Sequence, residues 1–189
     1  MSKKQLFRFH PQRMNTAIQQ AVAGLILLCL LLGTIGGYLF LQLQSDNRPL
    51  SVGETIPSVK LSAFNGEERN LDSLIRMNTA LIFFTTTCMY CLEELRSWKS
   101  LFPEFKDTVQ LIAVSLSRKQ ETVQFAATEH LPYPVYIDES VEVRRAFHVT
   151  SVPMIYMIDT LKRVQSFAAG KRSEKQLRLL VDQLCRKNP

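Results

Sequence analysis

A short apolar run, Thr79-Ala-Leu-Ile-Phe-Phe-Thr-Thr-Thr87, leads directly into Cys88-Met89-Tyr90-Cys91 and then into Leu92-Glu-Glu-Leu-Arg-Ser-Trp-Lys-Ser-Leu-Phe102. The first segment is rich in β-formers and reads as a buried strand. The last places Cys91, Leu95, Trp98 and Phe102 at helical spacing, on one buried face. Two cysteines three apart, where a buried strand turns into a helix, can close a disulfide within one turn. The first turn of that helix carries unpaired backbone N–H groups and a partial positive charge, which stabilise a thiolate at Cys88. This placement suits thiol–disulfide exchange. A structural zinc site also uses C-x-x-C but needs four ligands. The other candidates, His10, Cys29, His130, His148 and Cys185, are scattered with no partner at ligand spacing. A purely structural disulfide stays open on spacing alone.

The second constraint is the segment Ala21–Leu41, with no charged residue anywhere between Arg13 and Asp46. About 20 helical residues cross a ~30 Å hydrocarbon core. A cleaved signal peptide has an apolar core of only ~7–15 residues and a small-x-small site after it. Thr34-Ile35-Gly36 lies inside the apolar run instead, and Ile-Leu-Leu before Cys29 is not a lipoprotein signal. An uncleaved anchor over 17–43 is expected, with Tyr38 and Phe40 near the outer interface.

Charge sets the expected orientation. Lys3, Lys4, Arg8 and Arg13 lie in a tail without acids, whereas the outer flank mixes Asp46, Arg48, Glu54 and Lys60. The tail, 1–16, is therefore expected in the cytoplasm and the C-terminal domain outside the cell membrane, as a single-pass protein. Four of the 23 Lys and Arg belong to the tail, which leaves 19 against 17 acids for the rest. A nearly neutral domain without a basic stripe gives no reason to expect nucleic acid as a partner.

Residues 44–52 read as a short polar tether, and 53–189 as one domain with its own core. Strands are expected over 58–64, 79–85, 109–116, 134–137, 154–158 and 163–168. Helices are expected over 72–76, 89–102, 119–130 and 140–147, the last capped by Ser140. Ser173 caps a final helix with Leu177, Leu180, Val181, Leu184 and Cys185 on one face. Strands alternating with helices predict an α/β sheet covered on both sides.

The order strand, C-x-x-C, helix, strand, helix, strand, then Val152-Pro153 before a strand, resembles the thioredoxin-like superfamily over roughly residues 52–187. It is most similar to the membrane-anchored thiol–disulfide oxidoreductases of the ResA/TlpA type, within the redoxin group. Val52-Gly53-Glu54-Thr55-Ile56-Pro57 with Asn65-Gly66 looks like the N-terminal hairpin of that group. Pro134-Val135-Tyr136-Ile137-Asp138 looks like its central insertion, and Val149–Pro153 with Ile158-Asp159 its cis-proline loop. The resemblance implies a thioredoxin-like mixed sheet after one transmembrane helix, and an enzyme. It implies Cys88 as nucleophile, Cys91 as resolving cysteine, Pro153 as a cis-proline opposite them, and Glu94 as the acid near the pair. No cofactor beyond a Cys88–Cys91 disulfide is expected. The implied partners are a client protein with a disulfide or thiol pair, a membrane electron carrier that restores the dithiol, and the lipid bilayer. Position alone would read Pro153 as trans and would equally allow Glu94 to be a solvated acid in the first turns of a helix.

The chain departs from the pattern at Thr87, Tyr90, Arg96 and Ile82, where relatives carry Trp, Pro, a helix Pro and a buried Asp. These changes bear on potential and client rather than on the thiol chemistry. A peroxiredoxin reading has Thr85 in place but Leu81 where a Pro belongs. A Sco-like copper carrier would need His148 to join the two thiolates. A disulfide oxidase or isomerase uses the same fold, often with a His inside the motif. Met89 and Tyr90 carry no charge, and Glu94 disfavours a nearby thiolate. A reductant is expected, with an apocytochrome c or another secreted enzyme as client.

Overall fold

The computed structural model describes residues 16–45 and 48–187. The basic tail up to residue 15 and the pair 46–47 lie outside the described residues. The chain falls into two compact units, divided between Asn47 and Arg48.

The first unit is one helix, α1 (Thr16–Ser45). Its 24 residues Ile18–Leu41 are long and apolar enough to cross a membrane, and their side chains are exposed. At ~1.5 Å per residue the stretch is about 36 Å long, enough to cross a ~30 Å hydrocarbon core. The Thr34 hydroxyl donates to the Leu31 carbonyl at 2.9 Å, so this polar group is satisfied within the helix.

The second unit runs β1 (Lys60–Ser62), β2 (Glu68–Asn70), α2 (Leu71–Leu74), β3 (Thr79–Phe84), α3 (Met89–Phe105), β4 (Gln110–Ser115), α4 (Lys119–Glu129), β5 (Val135–Ile137), α5 (Glu142–Ala146), β6 (Met154–Ile158), β7 (Val164–Ala169) and α6 (Glu174–Lys187). The strands form one mixed sheet in the order β2-β1-β5-β4-β3-β6-β7. The fully buried β3 lies between parallel β4 and antiparallel β6, with Ile82 opposite Ala113 on one side and Ile155 on the other.

Alternation along the central strands builds two cores. Leu81, Phe83, Ile112, Val114, Met154 and Tyr156 pack on one face with Leu71, Val143 and Phe147. Ala80, Ile82, Phe84, Ala113, Ile155 and Met157 pack on the other against Cys91, Leu95, Trp98 and Leu101 of α3 and Leu177, Val181 and Leu184 of α6. The expected α3 stripe is therefore real, with Phe102 only partly buried. Cys185 borders this core.

The structure adds one strand and changes three local readings. Glu68–Asn70, assigned no element from the sequence, is a fully exposed strand paired with β1, so it lacks the apolar alternation that marks a strand. Helix α3 passes through Pro103 to Phe105, three residues beyond expectation. Phe102 and Phe105 pack on the core, and N–H groups of Lys106, Thr108 and Val109 close onto their carbonyls. Helix α5 is shorter than expected, and its N-cap is Val141 at φ 62° with no side-chain cap. Asp138 satisfies its first turn instead, accepting from the Val143 and Arg144 N–H groups at 3.2 and 2.8 Å. Finally, residues read as tether are tied to this unit: the Leu50 N–H donates to the Tyr156 hydroxyl at 3.2 Å and the Ser51 N–H to Glu54 Oε2 at 2.8 Å.

Candidate active site

The end of β3 delivers the cysteine pair. After Phe84 the chain is pinned to the end of β4 by two bonds to the Ser117 hydroxyl, one from the Thr86 N–H at 3.0 Å and one from its hydroxyl at 3.1 Å. Cys88 then takes the N-cap position of α3, with φ −86° and ψ 111°. Its sulfur accepts the Cys91 N–H at 3.2 Å, the place a serine or aspartate oxygen occupies in an ordinary cap.

Exposure separates the two sulfurs. Cys88 is half-buried, between exposed Thr87, Met89 and Tyr90. Cys91 is fully buried on the α3 stripe. Both are free thiols. Burial pushes the Cys91 thiol up to about 12, helped by its hydrogen bond with Cys88 and by the negative charges of Cys88 and Glu94.

Opposite the pair, the Val152–Pro153 bond is cis and Pro153 is buried. The Cys88 thiol reaches the Val152 carbonyl at 3.9 Å. That carbonyl belongs to an irregular segment beside the exposed cysteine, ahead of β6.

Glu94 settles against the solvated reading, with no accessible surface. Its Oε2 accepts the Arg172 N–H at 2.6 Å, and its Oε1 has no hydrogen-bond partner. Burial raises its pKa to about 7, against the opposing pull of the Arg172 N–H and the charges of Arg172 and Lys171. Tyr133 closes this region. Its hydroxyl donates to the Leu95 carbonyl at 2.9 Å, and burial, then the Glu94 charge, hold its pKa well above the usual phenol range. Tyr133 and Arg172 are absent from the residues singled out by sequence. Arg172 contributes a backbone group, about which its identity says nothing.

The structure thus brings Cys88, Cys91, the Pro153 loop and Glu94 together at one end of the sheet. A buried carboxyl beside a buried thiol, behind an accessible one, can take up and return a proton while the sulfurs exchange. His148 does not complete a metal site with the cysteines: no three His, Cys, Asp or Glu side chains among the described residues cluster to hold a metal.

Known proteins resemble this chain over most of its length. The AhpC/TSA family profile matches residues 52–167. The thiol-disulfide oxidoreductase ResA of Geobacillus thermodenitrificans is 26% identical over 162 residues, covering 85% of this chain and 93% of its own. The thioredoxin-like protein YneN of Bacillus subtilis is 25% identical over 161 residues, covering 83% and 94%. Among solved structures, a DsbE-type thiol:disulfide interchange protein from Chlorobium tepidum superposes with a TM-score of 0.66 at 21% identity, covering 71% of this chain and 99% of that one. Peroxidoxin BcpB from Mycobacterium tuberculosis gives 0.65 at 19%, covering 74% and 99%. These two share the fold. With the profile spanning more than half of its length, the chain belongs to the AhpC/TSA family, as a thioredoxin-like thiol–disulfide oxidoreductase.

Proposed function

We propose that this oxidoreductase reduces disulfides of client proteins on the outer side of a cell membrane to which α1 anchors it. The observation that carries the direction is the buried Glu94 next to Cys91, with neither imidazole nor ammonium between the cysteines. A dithiol that gains little as thiolate is a poor electron trap, so its electrons pass readily to a client.

The reaction begins when the Cys88 thiolate attacks one sulfur of the client disulfide. A Cys88–client disulfide forms and the other client sulfur leaves as a thiolate, which takes up a proton. Cys91 gives its proton to the Glu94 carboxylate and attacks Cys88 Sγ. The Cys88–Cys91 disulfide forms and the second client thiolate leaves, protonated from Glu94 or solvent. Two electrons have moved to the client. The timing follows from charge. The thiolate of Cys88 is one cause of the high Cys91 pKa. Once Cys88 is covalently bound that charge is gone and the Cys91 pKa falls, while burial, its largest cause, still holds it above the ordinary thiol value, so a nearby proton acceptor is needed.

Pro153 and Val152 line the approach to Cys88, where an extended client segment can pair with the Val152 backbone. The redox group is the cysteine pair itself. A membrane electron carrier bearing a dithiol restores it by the reverse exchange. An apocytochrome c or a secreted enzyme that needs reduced cysteines fits the client role. The basic tail stays in the cytoplasm, which leaves the domain from residue 53 outside.

The reduction potential tests the direction. Equilibration against a glutathione or dithiothreitol buffer should place Cys88–Cys91 nearer thioredoxin (about −270 mV) than DsbA (about −120 mV). A value above roughly −180 mV means an oxidase or isomerase.

A further inference from the structure

We propose that Gly170, Lys171 and Arg172, the turn from β7 into α6, form a positioning clamp that holds Glu94 as the proton acceptor for Cys91. This rests on the reading of Glu94 given above. Three successive residues make three separate attachments. The Gly170 N–H donates to the Pro153 carbonyl at 2.8 Å. The Lys171 ammonium pairs with the Glu93 carboxylate. The Arg172 N–H donates to Glu94 Oε2 at 2.6 Å. Residues 78 positions away in sequence are thereby fixed against the first turns of α3 and against the cis-proline loop at once.

The turn is itself built to be stiff. Gly170 has φ +78°, where a Cβ is strained, although no atom within 4 Å would block one. The backbone bend, not lack of room, calls for glycine. Beyond Arg172, Ser173 and Gln176 close a reciprocal cap on α6. The Ser173 N–H donates to Gln176 Oε1 at 2.9 Å, and the Gln176 N–H reaches the Ser173 hydroxyl at 3.4 Å. The Arg172 amide is held between these two fixed points.

The clamp acts on charge state. Glu94 has no accessible surface and an unpartnered Oε1, so among the described residues the Arg172 amide is its one hydrogen-bond donor. An N–H donor stabilises carboxylate over carboxylic acid. The other charged or titratable groups facing Glu94 are Cys91, Tyr133, Lys171 and the Arg172 guanidinium. Burial resists its ionisation, so the turn supplies what favours it. A turn that slips would leave Glu94 protonated at neutral pH, and Cys91 without an acceptor.

The resolving step reads this directly. The full chain in detergent, with Cys29 and Cys185 changed to Ser, is reduced and treated with Ellman's reagent. Cys88 reacts first, and release of the second thionitrobenzoate reports attack by Cys91. The rate of that release against pH should bend near pH 7, the Glu94 value. Gly170→Val should move the bend up by about one unit, which makes release roughly fivefold slower at pH 7 and about tenfold slower well below the bend. Arg172→Ala, which keeps the N–H, should move it less. Unmoved bends in a folded Gly170→Val protein overturn the clamp. A bend that survives Glu94→Gln overturns the acceptor role of Glu94 itself. Should Gly170→Val not fold, the unaltered chain labelled with ¹⁵N-arginine decides: the Arg172 amide proton should titrate with the same bend, and an amide indifferent to pH there rejects the clamp.

Discussion

The Cys91 N–H donates to Cys88 Sγ at 3.2 Å, so the accessible sulfur caps the very helix that buries its partner. One turn of helix thereby gives two chemically alike thiols opposite surroundings. Cys88 meets a client first, and Cys91 is reached only from within. Cys91→Ser should accumulate a covalent Cys88–client adduct, visible on non-reducing gels and lost on reduction. Cys88→Ser should accumulate none. Equal trapping by both variants would reverse the assignment.

Much of this arrangement was legible in the sequence because it is local. The β3–C-x-x-C–α3 junction combines a change of hydrophobic period with two cysteines, and both signals survive without tertiary information. The Glu94 contact was not legible. A glutamate near a helix N-terminus satisfies the macrodipole whether buried or not, and its donor is a backbone group 78 residues away. Strand β2 escaped for a related reason: its residues are all exposed, and only pairing with β1 makes them a strand.

Helix α5 shows the same limit in its cap and yields a second prediction. Ser140 looked like the cap, yet its exposed hydroxyl only accepts the Glu142 N–H at 3.3 Å. Buried Asp138 accepts two N–H groups from the first turn. Asp138→Ala should cost about 1–2 kcal/mol in urea unfolding, as for other lost N-caps, and Ser140→Ala a few tenths. The opposite ranking would restore Ser140 as the cap.

Topology gives a third prediction. Protease added to intact spheroplasts should digest the domain from residue 53 onward and spare Met1–Arg13. The reason is the four basic residues ahead of an uncharged, largely apolar span of 24 residues. Protection of the domain, or its recovery in the soluble fraction, contradicts the anchor.

The fourth prediction concerns stability and pH. In the unfolded chain Glu94 ionises near 4.5, and in the folded protein near 7. Between those values the native state binds the extra proton, so stability falls as pH rises through the window and levels off above it. A rise of this size corresponds to about 3 kcal/mol. Glu94→Gln removes the titration while its side-chain carbonyl can still accept the Arg172 N–H. The difference in unfolding free energy between Glu94→Gln and the unaltered chain should therefore grow in favour of the variant from pH 4.5 to 7, by about 3 kcal/mol, and stay constant to pH 8. Trp98 gives an independent readout. It is the single tryptophan of the chain, buried one helical turn beyond Glu94, with its indole N–H unpartnered. Its emission in the reduced protein should change with an inflection near pH 7 that Glu94→Gln abolishes. A pH-independent difference in stability together with a flat emission profile would place the ionisation of Glu94 outside this window and remove it as the proton acceptor for Cys91.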